Sequence, residues 1–193
     1  MGFHAVSRGR ITKRDTVAIF GCGGVGLGAI AGAAFRGART IGIDLDDAKL
    51  ATASLAGATD VIHSGRENIA EQLRKLTFNE GPDVVIEAIG LPETFRLAVK
   101  EVAFTGRVVY IGYAKEPVLY ETKLFIQKEL DIMGSRNALP KNFLEVLDML
   151  GAGRFPVEEA VTVIVPLDQA PAMLSRWSSN PAAFTKIMVQ IRP

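Results

Sequence analysis

Thr16-Val-Ala-Ile-Phe20 runs directly into Gly21-Cys22-Gly23-Gly24-Val25-Gly26, and from Val25 to Arg36 the chain carries small and aliphatic residues without a proline. A short apolar, partly β-branched run that stops at glycines predicts a strand buried on both faces. The stretch after the glycines predicts a helix, ended at Gly37, whose glycines and alanines permit close packing on a sheet. The GxGxxG spacing is informative here because it directly follows a strand and directly precedes a helix. In that setting Gly21 permits a tight turn, Gly23 removes a side chain so that backbone can approach a pyrophosphate, and Gly26 lets the helix lie close to the strand. The first amides of the helix then face the anion.

Outward from this stretch the alternation repeats. Strands are predicted at Thr40–Ile43, Val61–His63, Val84–Ala88 and Val108–Ile111, separated by helices at Asp47–Leu55, Ile69–Phe78 and Glu93–Val102. A βαβ series with this repeat length predicts an α/β fold, a doubly wound parallel sheet of the Rossmann type with helices on both faces. Past Tyr113 the rhythm changes. A helical turn is expected at Leu124–Lys128, a sixth strand at Leu130–Met133 and a helix at Asn142–Leu150 ended by Gly151. Beyond it come a short strand (Val161–Val165), a helix (Asp168–Trp177) and a last apolar run (Ile187–Ile191). The expected organisation is a dinucleotide-binding domain over 1–155 and a short C-terminal arm over 156–193.

The second strand ends at Asp44, eighteen residues beyond Gly26. A carboxylate there can accept hydrogen bonds from both hydroxyls of a ribose, and it repels the 2′-phosphate of NADP. Leu45, Asp46 and Asp47 offer no arginine to welcome that phosphate, so NAD is favoured. The plainer reading makes the glycines a packing turn and Asp44 the cap of the next helix. Lys49 either reaches the ribose or is solvated on an early helical turn. Because ligands of open parallel sheets lie across the carboxyl ends of the strands, Ile89-Gly90 and Ile111-Gly112-Tyr113 either line the nicotinamide side or are ordinary strand-ending turns. Cys22 reads as a small filler of the loop, and His4 and His63 as bystanders, since no GxSxG or Ser/His/Asp pattern accompanies them.

Composition narrows the partners. A chain of 193 residues, 48% of them hydrophobic, can bury one full core with a modest appendage. A formal net charge of +1 gives no field for a phosphate backbone, so nucleic acid is not an expected partner. The longest apolar run, Val25–Phe35, is broken by glycines and falls short of the roughly 18 residues that a membrane span needs. The start MGFHAVSRGR lacks the apolar stretch of a secretory signal, and a cytoplasmic protein is expected. One cysteine excludes an internal disulfide, and one cysteine with two histidines leaves little for a zinc site.

Several stretches together resemble the cofactor half of zinc-type medium-chain dehydrogenases: Gly2–Val6 (GFHAV), Asp15–Ile30 (DTVAIFGCGGVGLGAI), Gly57–Ile62 (GATDVI), Asp83–Gly90 (DVVIEAIG) with Pro92, Gly106–Gly112 (GRVVYIG), and Lys128–Leu130 with Ile132, Gly134 and Ser135. The wording is similar to the branch of sorbitol, threonine and sugar-acid (L-galactonate-like) dehydrogenases. The resemblance implies that Gly21, Gly23, Gly24, Val25 and Gly26 hold the pyrophosphate, Asp44 and Lys49 the adenosine ribose, and Ile89, Gly90, Ile111 and Gly112 the nicotinamide end. It also implies a basic residue near the pyrophosphate at Lys186, and a homodimer joined sheet to sheet near Leu130–Gly134. Enzymes of this kind hold a catalytic zinc in an N-terminal GroES-like domain, and this chain begins where that domain hands over. The zinc is therefore expected only in a separate catalytic half.

The leading expectation is the NAD-binding half of an oxidoreductase that moves hydride between a secondary alcohol, as in a polyol or sugar acid, and NAD, and that binds without turning over by itself. The alternative is a non-enzymatic NAD-binding module or subunit. A methyltransferase loop, GxGxG, is disfavoured because Val25 stands where its last glycine belongs.

Overall fold

The computed structural model describes residues 1–191. The chain forms two compact units, Met1–Phe155 and the remainder from Pro156. In the first, six strands form one parallel sheet: β1 (Thr16–Phe20), β2 (Arg39–Asp44), β3 (Asp60–His63), β4 (Val84–Glu87), β5 (Arg107–Tyr110) and β6 (Asp131–Gly134). Their spatial order is β3-β2-β1-β4-β5-β6. The direction of winding therefore reverses between β1 and β4, which is the doubly wound order with its switch point at the glycine loop.

Burial follows the expectation for parallel strands covered on both faces. Val17, Ala18, Ile19 and Phe20 of β1 and Val84, Val85 and Ile86 of β4 are fully buried. Alternate residues face opposite ways. Ala18, Phe20, Ile41, Ile43, Val85 and Val108 form one cluster with Leu73 of α4 (Ile69–Leu76) and with Ala98 and Val102 at α5 (Pro92–Glu101).

The other face is covered by an element absent from the sequence reading. Gly2–Arg8 forms a helix, α1, that buries Phe3, Ala5 and Val6. It lies on α2 (Gly24–Phe35) so closely that a Cβ at Gly2 would sit 2.3 Å from the Ala29 nitrogen, and one at Gly32 would meet the Phe3 ring at 3.1 Å. The glycines of α2 thus serve a helix as well as the sheet. This also explains why α2 has no polar stripe: Leu27, Ala29, Ile30, Ala31 and Ala33 are all buried.

Boundaries shift for local reasons. The helix expected to reach Phe78 ends at Leu76, because Phe78 and Asn79 turn to positive φ (53° and 69°). Strand β5 stops at Tyr110 because, after Ile111 N–H makes the next ladder bond to the Glu87 carbonyl (2.8 Å), the Gly112 amide folds back onto the same carbonyl (3.0 Å). Helix α3 (Asp47–Leu55) follows β2, and α6 (Lys123–Gln127) and α7 (Pro140–Gly151) flank β6.

The second unit contains α8 (Val157–Ala160), β7 (Val163–Pro166), α9 (Ala170–Ser179) and β8 (Ile187–Gln190). The sequence left the partner of the last strand open; it is β7, paired parallel with Val163 opposite Ile187. Among the described residues no helix is long and apolar enough to cross a membrane.

Candidate functional site

At the switch point β1 is tied on both sides, Gly21 N–H donating to the Ile43 carbonyl (2.7 Å) and Ala88 N–H to the Phe20 carbonyl (2.9 Å). The chain then turns through Gly21 (φ +94°) into α2. The opening of α2 has no side-chain cap and no acidic residue in its first turn. Its first N–H groups lack intrahelical acceptors by geometry, so the positive end of the helix faces the crevice uncovered. Gly26 is pressed against the turn: a Cβ there would lie 1.7 Å from the Gly21 carbonyl oxygen. Gly23 differs, since a Cβ there would meet nothing within 4 Å.

Asp44, the last residue of β2, is bound into this loop. Its Oδ2 accepts from Cys22 N–H (2.8 Å), and its Oδ1 accepts from Leu45 N–H (2.8 Å) and Asp46 N–H (3.1 Å). It is therefore not the cap of the next helix. Asp46 does that, accepting from Ala48 and Lys49 N–H (2.9 and 3.2 Å). A carboxylate has about four acceptor positions, so three backbone donors leave one open on Oδ2. Lys49 stands half-buried in the first turn of α3, and its charge is felt at Cys22.

Ile89 and Gly90 follow β4, and Ile111 and Gly112 follow β5, so both pairs stand at the carboxyl ends of adjacent strands. Ile89 is 43% exposed, and its Cγ1 would be 2.8 Å from a Cβ at Gly21, so it flanks the glycine turn. Gly90 (φ +90°) and Gly112 touch backbone to backbone: a Cβ at Gly112 would lie 2.5 Å from the Gly90 nitrogen. Gly21, Gly23, Gly24, Val25, Gly26, Asp44 and Ile89 are thus gathered around one turn, and Gly90, Ile111 and Gly112 around the neighbouring strand ends. Lys186 belongs to the second unit, immediately before β8.

This arrangement matches known proteins. Residues 24–152 match the family described as zinc-binding dehydrogenase. The chain belongs to the zinc-binding dehydrogenase family. It is 30% identical to the sorbitol dehydrogenase of Bacillus subtilis (strain 168), covering 98% of this chain and 54% of that protein. It is 26% identical to an NAD-dependent alcohol dehydrogenase of Sulfurisphaera tokodaii, covering 97% and 54%. The structure of the alcohol dehydrogenase from Thermus sp. ATN1 superposes with a TM-score of 0.88 at 30% identity, covering 99% of this chain and 55% of that one. The chain spans about half the length of the relatives it matches.

The remaining polar residues of this zinc-binding dehydrogenase chain sort clearly. Cys22 is fully buried, and burial, followed by the Asp44 charge, pushes its thiol up to about 12, so it packs rather than reacts. His63 Nδ1 accepts from Gly65 N–H (3.2 Å) and helps shape the turn after β3. Among the described residues no group of three or more His, Cys, Asp or Glu side chains is placed to hold a metal ion, so these side chains do not fit a zinc ion.

One residue escaped the sequence reading. Glu87 ends β4 with 0% exposure; its Oε1 accepts from Ile89 N–H (2.9 Å), Gly90 N–H (2.8 Å) and the Thr94 hydroxyl (2.7 Å). The signal was present: an acid closing the otherwise apolar strand Val84-Val85-Ile86.

Proposed function

We propose that this chain binds NAD(H) across the β1–β4 crevice and forms the cofactor-binding half of a dehydrogenase for an alcohol, polyol or sugar acid. The observation that carries the reading is the uncapped opening of α2 beside an Asp44 carboxylate locked at the end of β2. The loop fits the cofactor because the position over Gly23 is open while the amide end of the helix points to it. The α2 amides hold the pyrophosphate, with Gly21, Gly23, Gly24, Val25 and Gly26 forming the cradle. The open acceptor of Asp44 takes one hydroxyl of the adenosine ribose, and Lys49 donates to the other. Ile89, Gly90, Ile111 and Gly112 line the nicotinamide end. When bound, NAD supplies the hydride acceptor for the alcohol carbon. Asp44, Asp46 and Asp47 set three negative charges beside the ribose, which disfavours the 2′-phosphate of NADP. The relatives' names point the same way: one is an NAD-dependent alcohol dehydrogenase, another a sorbitol dehydrogenase. The cytoplasm is the compartment that suits this reading.

Calorimetric titration with NAD, NADP and ADP-ribose tests it. Saturable NAD and ADP-ribose binding with much weaker NADP is expected; absence of NAD and ADP-ribose binding refutes it.

The same reading includes a homodimer through β6. In the parallel ladder Asp131 and Ser135 donate inward to Gly106 and Tyr110 (3.1 and 2.9 Å), so Ile132 and Gly134 turn their backbone groups to the open edge. Arg8 Nε covers the Gly134 carbonyl (3.2 Å), leaving the Ile132 amide and carbonyl and the Gly134 amide open at the edge among the described residues. Ile132→Lys is expected to halve the mass measured by light scattering; an unchanged mass refutes this interface.

A further inference from the structure

Glu87 is anomalous for a sheet interior. It is fully buried, and among the described residues its Oε2 has no hydrogen-bond partner. Burial pushes the carboxyl up from its ordinary value, while the bonds from Gly90, Thr94 and Ile89 pull it back. A buried carboxyl group is costly unless its bonds are used. Those bonds converge on two loops. The side-chain Oε1 takes the amides of Ile89 and Gly90, and the main-chain carbonyl of the same residue takes the amides of Ile111 and Gly112 (2.8 and 3.0 Å). Oε2 lies against Gly112, 2.2 Å from where a Cβ would stand. One residue therefore spans both pairs assigned to the nicotinamide end.

We infer that Glu87 is a positioning residue for the nicotinamide subsite, its carboxyl group fixing the Ile89-Gly90 turn against Gly112. The inference rests on NAD occupying the crevice. Because Oε1 occupies the Ile89 and Gly90 amides, these N–H groups are withdrawn from any ligand, and the turn is held in one conformation. The main-chain bonds to Ile111 and Gly112 survive any substitution at 87, so a variant loosens only the Ile89-Gly90 side. Among the described residues no hydrogen bond joins the glycine loop or Asp44 to this carboxyl, so a substitution at 87 reaches the ADP half of the cofactor only through the Ile89 side chain beside Gly21.

The test is titration of the full chain with NADH and with ADP-ribose, which lacks the nicotinamide ring, for wild type, Glu87→Ala, Glu87→Asp and Glu87→Gln. Glu87→Ala is expected to weaken NADH about tenfold or more, equivalent to about 1.4 kcal/mol, to leave ADP-ribose within about twofold, and to abolish the shift in NADH emission on binding. Glu87→Asp, one methylene shorter, gives the same split in milder form and serves where the alanine variant fails to fold. Glu87→Gln keeps the accepting oxygen and restores NADH to within about threefold of wild type. Parallel losses of NADH and ADP-ribose, or no loss of either, overturn this inference alone. Failure of wild type to bind ADP-ribose overturns it together with the cofactor reading.

Discussion

Two glycines of the same loop should respond oppositely to a single methyl group. At Gly26 the added carbon would lie 1.7 Å from the Gly21 carbonyl oxygen and 2.8 Å from its carbonyl carbon, both backbone atoms. Helix α2 must move off the turn, and overpacking against backbone costs about 3 kcal/mol, or a fall in Tm of roughly 6–12 °C for a chain of this size. At Gly23 the methyl meets nothing within 4 Å, and its φ of −68° suits alanine. There the lost N-cap preference, about 0.5–1 kcal/mol, is offset by a gain of about 0.4–1 kcal/mol from the less flexible unfolded chain. Gly23→Ala should therefore melt within about 2 °C of wild type, yet lose NAD affinity about tenfold or more, because the methyl takes the space left for the pyrophosphate. Thermal unfolding followed by circular dichroism, with calorimetric NAD titration, reads both. If Gly23→Ala binds NAD as wild type does, the open space over Gly23 is not the pyrophosphate seat and the cofactor reading fails.

Further outcomes follow from individual groups. Asp44→Ala leaves the buried Cys22 amide without its acceptor and should cost about 1–3 kcal/mol of stability; in titration it should weaken NAD more than NADP, and equal losses remove Asp44 from the ribose. Cys22, buried and with its thiol held up to about 12, should stay unlabelled by iodoacetamide in the native protein at neutral pH and label on unfolding; fast native labelling refutes the packing role. The folded Glu87 carboxyl titrates above its ordinary 4.5, so the folded state holds a proton that the unfolded chain has released, and stability falls as pH rises through that window. Glu87→Gln should flatten this fall in urea-unfolding experiments across acid to neutral pH, and an identical pH dependence in the variant contradicts the shift.

Where the chain could be read, it was read from patterns that need no tertiary partner. The strand, the glycine turn and Asp44 carry their meaning in fixed short spacings, so β1, α2 and β2 were legible and the doubly wound class of the sheet followed. Gly2–Arg8 was not, because a seven-residue helix beginning Gly-Phe-His has weak intrinsic propensity. It exists because Gly28 and Gly32 of α2 leave room for Gly2 and Phe3, a fact stored at positions far along the chain. The tail was half legible: its apolar runs mark two strands, but nothing local says that β8 pairs with β7. Glu87 left only a faint mark for a related reason. Its role depends on Thr94 and on two loops meeting in space, whereas spacing alone shows only an acid at the end of a strand.

The two ends of the sheet offer a way to locate function that does not depend on the glycine motif. At the amino ends, strands begin on or beside charged residues that satisfy one another. Asp15 pairs with Arg107, Asp131 with Arg10, and Asp60 with Arg39 (2.8 Å). Asp83 takes the Thr16 amide (2.7 Å), and Arg107 also donates to the Gly9 carbonyl (2.7 Å). At the carboxyl ends the accounting stays open. Among the described residues the first amides of α2 have no side-chain cap, Asp44 retains an acceptor, and Oε2 of Glu87 has no partner. Interior polar groups are normally satisfied. On the adjacent strands β2, β1 and β4 the open groups lie at the carboxyl ends, and they consist of donors suited to an anion beside an acceptor suited to a hydroxyl. A dinucleotide brings both in a single molecule.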